Sequence, residues 1–300
     1  MVFRLAHVSD PHLAPTPFPP RSELALKRVL GFVNWKRSRE RSTDMGCLDR
    51  LVADLRAQRP DHVAMTGDSV NLALPGEFQR AKRWLSTLGA ARDVSVTPGN
   101  HDAYVPRAIA LMQSSFAPWT TSDWPRQGEE IYPFVRIRGQ VAIVGLNSGR
   151  PSGPFLATGS LGHEQLQRLR VALREIRGQG LARVVLVHHA PVPGMPVFRR
   201  MTDCDELVDV VATEGAELVL HGHHHCRMVN FIETKATRAV GSRIPILGAP
   251  AASATRRDDA HRAAYHMITL SDSGGAIEIT ARARGPSRNG REVIDLGALL

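Results

Sequence analysis

The chain has 300 residues, of which 43% are hydrophobic and 22% are charged. These proportions suit a soluble globular protein that can bury a large core. Its 38 Lys and Arg residues against 29 Asp and Glu residues give a formal charge of +9. This charge favours anionic partners such as phosphates, nucleic acid or an anionic membrane surface, without choosing among them.

The first residues show no basic region followed by an apolar run, and no apolar run approaches the roughly 20 residues that cross a bilayer. The three cysteines, Cys47, Cys204 and Cys226, form no C-x-x-C pair. Their spacing favours a reducing compartment over a secreted protein built on disulfides. We therefore expect a cytoplasmic protein, either soluble or peripheral to the inner membrane face.

The predicted elements alternate between strands and helices and end in strands alone. Short apolar runs predict strands at 2–9, 62–66, 94–97, 131–138, 140–147, 183–187, 218–220, 228–233, 244–247, 264–270 and 276–281. Apolar residues at helical spacing predict helices at 48–55, 78–88, 108–112, 166–176 and 203–213. The stretch 147–162 is rich in Gly, Ser and Pro and predicts a loop. This order favours a layered α/β fold with a pair of sheets in the core, arranged as one domain over 1–300.

A basic segment at about 18–42 follows the first predicted strand. Between Arg21 and Arg41 it carries seven Lys or Arg residues, interleaved with Leu, Val, Phe and Trp. This mixture predicts a basic amphipathic helix. Two interpretations remain open. The helix packs its apolar side on the core, or it lies on an anionic membrane or covers an amphiphilic substrate.

Five clusters of polar residues follow predicted strands. In chain order they are Asp10-x-His12, Gly67-Asp68-x-x-Asn71, Gly99-Asn100-His101-Asp102, His188-His189 and Gly222-His223-His224-His225. The carboxyl ends of strands in open α/β sheets converge on one crevice, and the glycines allow tight turns there. Carboxylates, an amide oxygen and imidazoles suit a metal such as Mn, Fe or Zn better than Ca. They offer more ligands than one ion needs, which predicts two divalent ions bridged by a carboxylate.

These clusters, in this order from Asp10 to His225, resemble the motifs of the calcineurin-like metallophosphoesterase superfamily. The resemblance implies a four-layer α/β/β/α sandwich of two mixed sheets flanked by helices. It also implies a dinuclear metal site at the C-terminal ends of the strands.

The resemblance further implies a role for each residue. One ion would be bound by Asp10, His12 and His225, the second by Asn100, His188 and His223, and both by Asp68 together with a bridging water or hydroxide. His101 would bind the substrate phosphate or protonate the leaving oxygen, with Asp102 orienting it. The choice between His188 and His189 stays open, with His188 preferred because it directly follows a strand.

The D-x-H start, the G-H-x-H end and the chain length are most similar to the bacterial phosphodiesterase branch of the superfamily. We therefore expect a phosphodiesterase in which the metal-bridging hydroxide attacks phosphorus. The purple acid phosphatase branch has a metal-bound tyrosine near the position of Asn71, which disfavours that branch. The alternative is a membrane-associated pyrophosphatase or phosphodiesterase that acts on a lipid-linked substrate such as UDP-diacylglucosamine. A nuclease is less expected, because only 5% of residues are aromatic and available to stack on bases.

Overall fold

The computed structural model describes residues 2–24, 26–124, 130–256 and 258–300. Its helices are α1 (Leu26–Arg37), α2 (Met45–Ala57), α3 (Pro75–Leu88), α4 (Ile109–Phe116), α5 (His163–Gly178) and α6 (Cys204–Glu214). Its strands are β1 (Val2–Val8), β2 (His62–Met65), β3 (Val94–Val96), β4 (Phe134–Arg138), β5 (Val141–Gly145), β6 (Ala182–Leu186), β7 (Leu218–His221), β8 (Met228–Glu233), β9 (Arg243–Gly248), β10 (Tyr265–Ser273), β11 (Ala276–Pro286) and β12 (Val293–Ala298). Within these residues, no helix is both long and apolar enough to cross a membrane.

The strands form two mixed sheets. The first has the order β12-β11-β10-β1-β2-β3, in which β1, β2 and β3 are parallel and the other neighbours are antiparallel. The second has the order β4-β5-β6-β7-β9-β8, with parallel pairs from β5 to β9 and antiparallel pairs at both edges. The strands whose carboxyl ends carry the predicted clusters therefore lie side by side within each sheet.

Apolar side chains fill three spaces between the layers. Leu5, Ile143 and Leu186 belong to the cluster between the two sheets. Helices α2, α3 and α4 cover the outer face of the first sheet, whereas α5 and α6 cover the outer face of the second. Every residue of β5 and β6 is buried, because both faces of these strands are covered. The predicted sandwich of two mixed sheets flanked by helices is confirmed.

The structure differs from the sequence prediction at two places near the chain ends. Strand β12 is missing from the sequence prediction because it is an edge strand whose residues are only half-buried or exposed, with no clear alternation. The basic segment does not form one helix over 21–41. Short 3-10 turns at Arg21–Glu23 and Arg39–Ser42 flank α1, and the second turn is fixed by a hydrogen bond from Thr255 N to Ser42 O at 3.0 Å.

Helix α1 packs on the core through a buried cation. The Arg28 side chain is 1% exposed and donates to the carbonyls of Leu72 at 2.9 Å and Ala73 at 2.6 Å, and it pairs with Glu23. Trp35, two turns along, is also buried. Helix α1 is thus anchored to the loop that follows β2, because Arg28 donates hydrogen bonds to two carbonyl groups of this loop.

A buried carboxylate on α3 holds the same loop. Glu77 accepts hydrogen bonds from the backbone N–H groups of Asn71, Leu72 and Leu74 at 3.1, 3.0 and 2.9 Å. Its side chain is enclosed by the core. The conformation of the loop after β2 therefore depends on Glu77, a residue outside the loop.

Replacing this carboxylate tests how firmly the loop is held. The change Glu77→Ala leaves three buried N–H groups without an acceptor, at about 1–3 kcal/mol each. We expect the free energy of unfolding, measured with urea, to fall by about 3 kcal/mol or more. The matched control is Glu164→Ala, whose side chain is 86% exposed. An equal, small effect of both changes would contradict the account.

Candidate metal centre

The five predicted clusters lie at the carboxyl ends of β1, β2, β3, β6 and β7. Backbone hydrogen bonds join the loops that follow these strands, such as Asp10 N to Gly67 O at 3.1 Å and Gly222 N to His188 O at 3.1 Å. The two sheets meet here, since His223 N on the second sheet donates to Asp10 Oδ2 on the first at 3.0 Å. The clusters therefore converge on one crevice, as expected.

The first group of candidate ligands consists of Asp10, His12, Asp68 and His225. The Nε2 atoms of His12 and His225 lie 3.1 Å apart, and His225 Nε2 lies 3.2 Å from Asp10 Oδ1. Asp68 Oδ2 lies 3.8 Å from His12 Nε2. Four ligand atoms within 4.8 Å of one another can surround one metal ion.

The second group gathers around His188. Its Nε2 atom lies 3.2 Å from Asn100 Oδ1 and 3.4 Å from Asp68 Oδ2. The ring of His223 lies beside it, with the two ring centroids 5.1 Å apart. Asp68 thus faces both groups, which is where a carboxylate that bridges two ions would lie.

The neighbouring histidines 188 and 189 differ in what their ring nitrogens face. His188 Nδ1 lies 2.6 Å from Thr66 O, which fixes the ring and leaves Nε2 for a metal. Both ring nitrogens of His189 have partners, with Nδ1 2.8 Å from Ser148 Oγ and Nε2 3.3 Å from Ala157 O. His189 nevertheless forms a candidate metal group together with His188 and His223. The hydrogen bonds favour His188 as the ligand, which remains a prediction.

The donor atoms fit a metal better than they fit hydrogen bonding alone. Asp10 Oδ1 is buried and accepts no hydrogen bond from the described residues. The imidazole nitrogens and carboxylate oxygens around it carry lone pairs and face one another across the crevice. A cation would satisfy these lone pairs at once, so the cluster can bind metals.

The two central carboxylates ionise readily although they are buried. Burial disfavours the charge of Asp10, but His225 lowers the pKa of this carboxyl well below its ordinary value. Burial likewise opposes the charge of Asp68, and His188 lowers the pKa of Asp68. Burial lowers the pKa of His188 as well, yet the charge of Asp68 raises it to about 9, so a metal that binds Nε2 must displace the proton from it. Both carboxylates are therefore anionic at neutral pH, the form that binds cations.

Five candidate ligands have backbones in the left-handed region. The φ angle is 51° at Asp10, 40° at His12, 56° at Asp68, 69° at His223 and 54° at His225. Residues other than glycine seldom adopt this conformation, which costs of order 1–3 kcal/mol at each position. Such strain persists only where the surrounding structure enforces it, and its concentration at one crevice indicates a functional site.

Glycines beside the ligands meet two different needs. Gly67 has a φ of +93°, so the tight turn predicted there is confirmed. At Gly99 and Gly222 the need is space. A Cβ on Gly99 would collide with Asp68, and one on Gly222 would collide with Asp10.

His101 lies beside the first group with its ring fixed. Its backbone N–H donates to Asp68 Oδ1 at 2.8 Å, and its Nδ1 lies 2.7 Å from Asn71 O. Because a carbonyl only accepts, Nδ1 carries the proton, and Nε2 is the nitrogen available to a substrate. The ring stacks on Tyr104. Burial, and then the charge of Arg39, lower the pKa of His101 to about 4.

Asp102 does not make the contact that the sequence leads us to expect. In the described residues it forms no hydrogen bond to the imidazole that it was expected to orient, which bonds to a backbone carbonyl instead. Its buried carboxylate accepts from the N–H groups of Gly99 and Asp68 at 2.8 Å, Ser69 at 3.0 Å and Val70 at 3.3 Å. Burial and the charge of Asp68 raise the pKa of Asp102 to about 7. Asp102 is therefore a positioning residue that joins two ligand-bearing loops.

Arg39 is a site residue that the motifs do not reveal. Its Nη1 lies 3.4 Å from His12 Nδ1. Its half-buried side chain lines two small cavities, of about 80 and 30 Å³, which adjoin His12 and His101 respectively. The only signal in the sequence is its charge, which it shares with six other cations of the basic segment.

The sequence matches the model of the calcineurin-like phosphoesterase family over residues 3–227. The match spans three quarters of the chain and includes all five clusters. The chain therefore belongs to this family of dinuclear metal-dependent phosphoesterases. A comparison with curated proteins gives no match.

Solved structures with this fold share little sequence with the chain. A dimetal phosphatase from Danio rerio has a TM-score of 0.56 and 14% identity, with 98% of each chain covered. A 5'-nucleotidase precursor from Thermus thermophilus has a TM-score of 0.54 and 13% identity, over 94% of this chain and 54% of that one. The purple acid phosphatase of yellow lupin (Lupinus luteus) has a TM-score of 0.54 and 12% identity, over 98% and 53%. At these identities the likeness establishes the fold alone.

Removing the carboxylate shared by both groups tests the centre. We expect Asp68→Ala to lose both ions, because both groups of candidate ligands share this carboxylate and each would lose one negative charge. Metal content per chain, measured by elemental mass spectrometry after gel filtration, should fall from two to near zero. The control Asp49→Ala removes an exposed carboxylate of α2 and should keep both ions. Two ions retained by Asp68→Ala would refute the bridging role.

Proposed function

We propose that this protein hydrolyses a phosphodiester at a centre of two divalent ions, with Mn, Fe or Zn as the metals. The observation that carries the proposal is the position of Asp68, whose Oδ2 lies 3.8 Å from Nε2 of His12 and 3.4 Å from Nε2 of His188. One carboxylate between two groups of ligands suits ions about 3.5–4 Å apart. Such ions, when bound, polarise a phosphoryl oxygen and lower the pKa of water.

The proposed ligands follow the two groups around that carboxylate. They are Asp10, His12 and His225 for one ion, Asn100, His188 and His223 for the other, and Asp68 for both. His223 Nε2 lies 2.8 Å from Arg199 O, so Nε2 carries the proton and Nδ1 is the nitrogen left for a metal. The hydrogen bond from the ring to this carbonyl would hold the ligand in its tautomer.

Arg39 would bind the phosphate of the substrate. A neutral imidazole has one acceptor nitrogen, so His12 can accept from Arg39 through Nδ1 only while Nε2 carries the proton. If Nε2 of His12 is a ligand, Nδ1 is protonated and no longer accepts. The guanidinium of Arg39 then has donors free for phosphoryl oxygens, for which its planar fork is well matched.

The preference for a diester rests on two features beside the centre. Asn71 lies near the position of the tyrosine ligand of the purple acid phosphatase branch, and its Nδ2 donates to Leu13 O at 3.3 Å. Exposed apolar side chains, among them Phe155 and Val197, lie on segments next to the candidate ligands. They suit a substrate that carries a second organic group on phosphorus.

The direct test compares an activated diester, bis(p-nitrophenyl) phosphate, with the monoester p-nitrophenyl phosphate, using Mn-loaded protein. We expect a higher kcat/KM for the diester and no turnover after the metal is removed with a chelator. A higher kcat/KM for the monoester would overturn the diester assignment. Turnover that survives metal removal would overturn the metal mechanism itself.

The role of His101 is tested through the leaving group. To protonate the leaving oxygen, His101 must first gain a proton on Nε2, a form that the negative charge of a bound phosphate favours. If His101 acts in this way, His101→Ala should slow hydrolysis of an alkyl diester by about 10²–10⁴. It should slow the nitrophenyl diester much less, because nitrophenolate leaves without a proton. Metal content should be unchanged, and His163→Ala, which alters an exposed histidine on α5, is the control. Equal losses on both substrates would indicate a phosphate contact instead of proton transfer.

The role of Arg39 is tested through substrate affinity. We expect Arg39→Ala to raise KM by about 10–100-fold, because charge-assisted hydrogen bonds contribute about 1.5–3 kcal/mol. Arg39→Lys should recover part of this loss. Arg41→Ala, an exposed cation of the same turn, should leave KM unchanged. Equal KM values for the wild type and Arg39→Ala would exclude the phosphate contact.

A second candidate is hydrolysis of a lipid-linked pyrophosphate or diester, such as UDP-diacylglucosamine, at the inner membrane face. The observation that favours it is the set of exposed apolar side chains next to the centre. Hydrolysis of such a substrate at a far higher kcat/KM than the nitrophenyl diester would select this candidate. A nuclease is less favoured, because aromatic residues, on which bases stack, are only 5% of the chain.

A further inference from the structure

Exposed apolar side chains are concentrated on one part of the described surface. Eight of the thirteen large hydrophobic residues that are exposed in the described chain lie on three segments. We call these eight the apolar rim: Phe18, Leu24, Leu26, Val33, Phe155, Leu156, Val197 and Phe198. The exposure is large, reaching 87% at Phe155, 71% at Leu26 and 70% at Val197. The other five lie on β1, β8 and β12 and in the loop between β8 and β9.

The three segments are joined by hydrogen bonds. Lys27 on α1 donates through Nζ to Ser152 O at 2.8 Å, which links the helix to the loop before α5. Ala157 N in that loop donates to Phe198 O at 2.8 Å, which links it to the 3-10 turn Val197–Arg199. The apolar rim therefore belongs to one continuous region of the surface.

Each segment also contacts a residue of the metal centre. The basic segment contacts His12 through Arg39, the loop contacts His189 through Ala157 O, and the 3-10 turn contacts His223 through Arg199 O. The apolar rim thus lies on the three segments that border the crevice. Whatever covers the rim is held close to the entrance of the candidate site.

The charge around the rim has one dominant sign. Between Arg21 and Arg41 there are seven cations and only two glutamates. Some of these cations point inward, as Arg28 does, but Arg21, Arg37 and Arg41 are exposed, and Arg200 is exposed beside the 3-10 turn. Apolar side chains surrounded by exposed Arg and Lys match the acyl and headgroup layers of an anionic bilayer.

We propose that the apolar rim docks on the surface of a bilayer that contains anionic lipid, with the crevice of the metal centre facing the headgroups. A second copy of the chain is a poorer occupant, because a shared rim would bring like-charged segments together. A bilayer satisfies both features, since acyl chains accept the apolar side chains and anionic headgroups pair with the cations. Docking is a binding property and does not depend on the proposed hydrolysis.

The experiment is co-sedimentation of the full chain with vesicles of phosphatidylcholine containing about a quarter phosphatidylglycerol, beside vesicles of phosphatidylcholine alone. We expect binding to the anionic vesicles that weakens with salt. The quadruple change L26S/F155S/V197S/F198S should lower the partition coefficient by about tenfold or more, since each change removes apolar area from the bilayer. The control V2S/V240S alters two valines that are 68% and 62% exposed elsewhere, and it should bind as the wild type does.

Three results would overturn the proposal. The first is an absence of binding to anionic vesicles by the wild type, and the second is equal binding by the rim variant and the wild type. The third is a wild-type dimer in sedimentation without vesicles that the rim changes convert to a monomer, which would make the rim an interface between copies. Circular dichroism and metal content of the rim variant should match the wild type, which separates docking from folding. Hydrolysis of a soluble nitrophenyl diester by the wild type is measured separately, without vesicles, so a failure of docking is distinguishable from a failure of hydrolysis.

Discussion

The buried carboxylate of Asp102 is the contact on which the rest of the site depends. It accepts hydrogen bonds from four backbone N–H groups, three in the loop after β2 and one at Gly99 in the loop after β3. Those loops carry Asp68, Asn100 and His101. In a buried site each of these donors would otherwise lack a partner, so the carboxylate fixes both loops in one arrangement. The distance between the two groups of candidate ligands follows from that arrangement.

A second buried acid and a buried arginine extend this framework outward. Glu77 holds residues 71–74 in place, and the carbonyl of Asn71 accepts a hydrogen bond from the His101 ring. Arg28 joins the same loop to α1, and the turn after α1 places Arg39 beside His12. The left-handed backbone of Asp68 is costly, and the hydrogen bond from its N–H to Asp102 helps to maintain it. The result is a site prepared for cations before any ligand arrives.

Much of this was predictable because it depends on local patterns. Apolar runs followed by Asp10, Asp68, Asn100, His188 and His223 predict both the strands and the side chains at their carboxyl ends. The sandwich follows from the alternation of strands and helices. The sequence does not predict edge strand β12, because a half-exposed strand has little alternation of apolar and polar residues.

Contacts between segments that are distant in sequence are not predicted for a different reason. A pattern of residue types does not indicate which carbonyl the His101 ring meets, so the sequence favours Asp102 as the group that orients the ring, whereas in the structure this group is the carbonyl of Asn71. The basic segment is likewise predicted from the sequence to be a single amphipathic helix with two possible roles, but in the structure its cations lie in three different environments. Arg28 enters the core, Arg39 reaches the site, and the exposed cations remain on the surface. Such a division depends on which face of each turn meets the rest of the fold.

The most direct measurement of the central claim is anomalous X-ray diffraction from crystals of the protein grown with Mn. We expect two anomalous peaks about 3.5–4 Å apart, one on either side of the Asp68 carboxylate, with Asp10 beside one peak and His188 beside the other. A single peak, or two peaks that do not share Asp68, would contradict the claim.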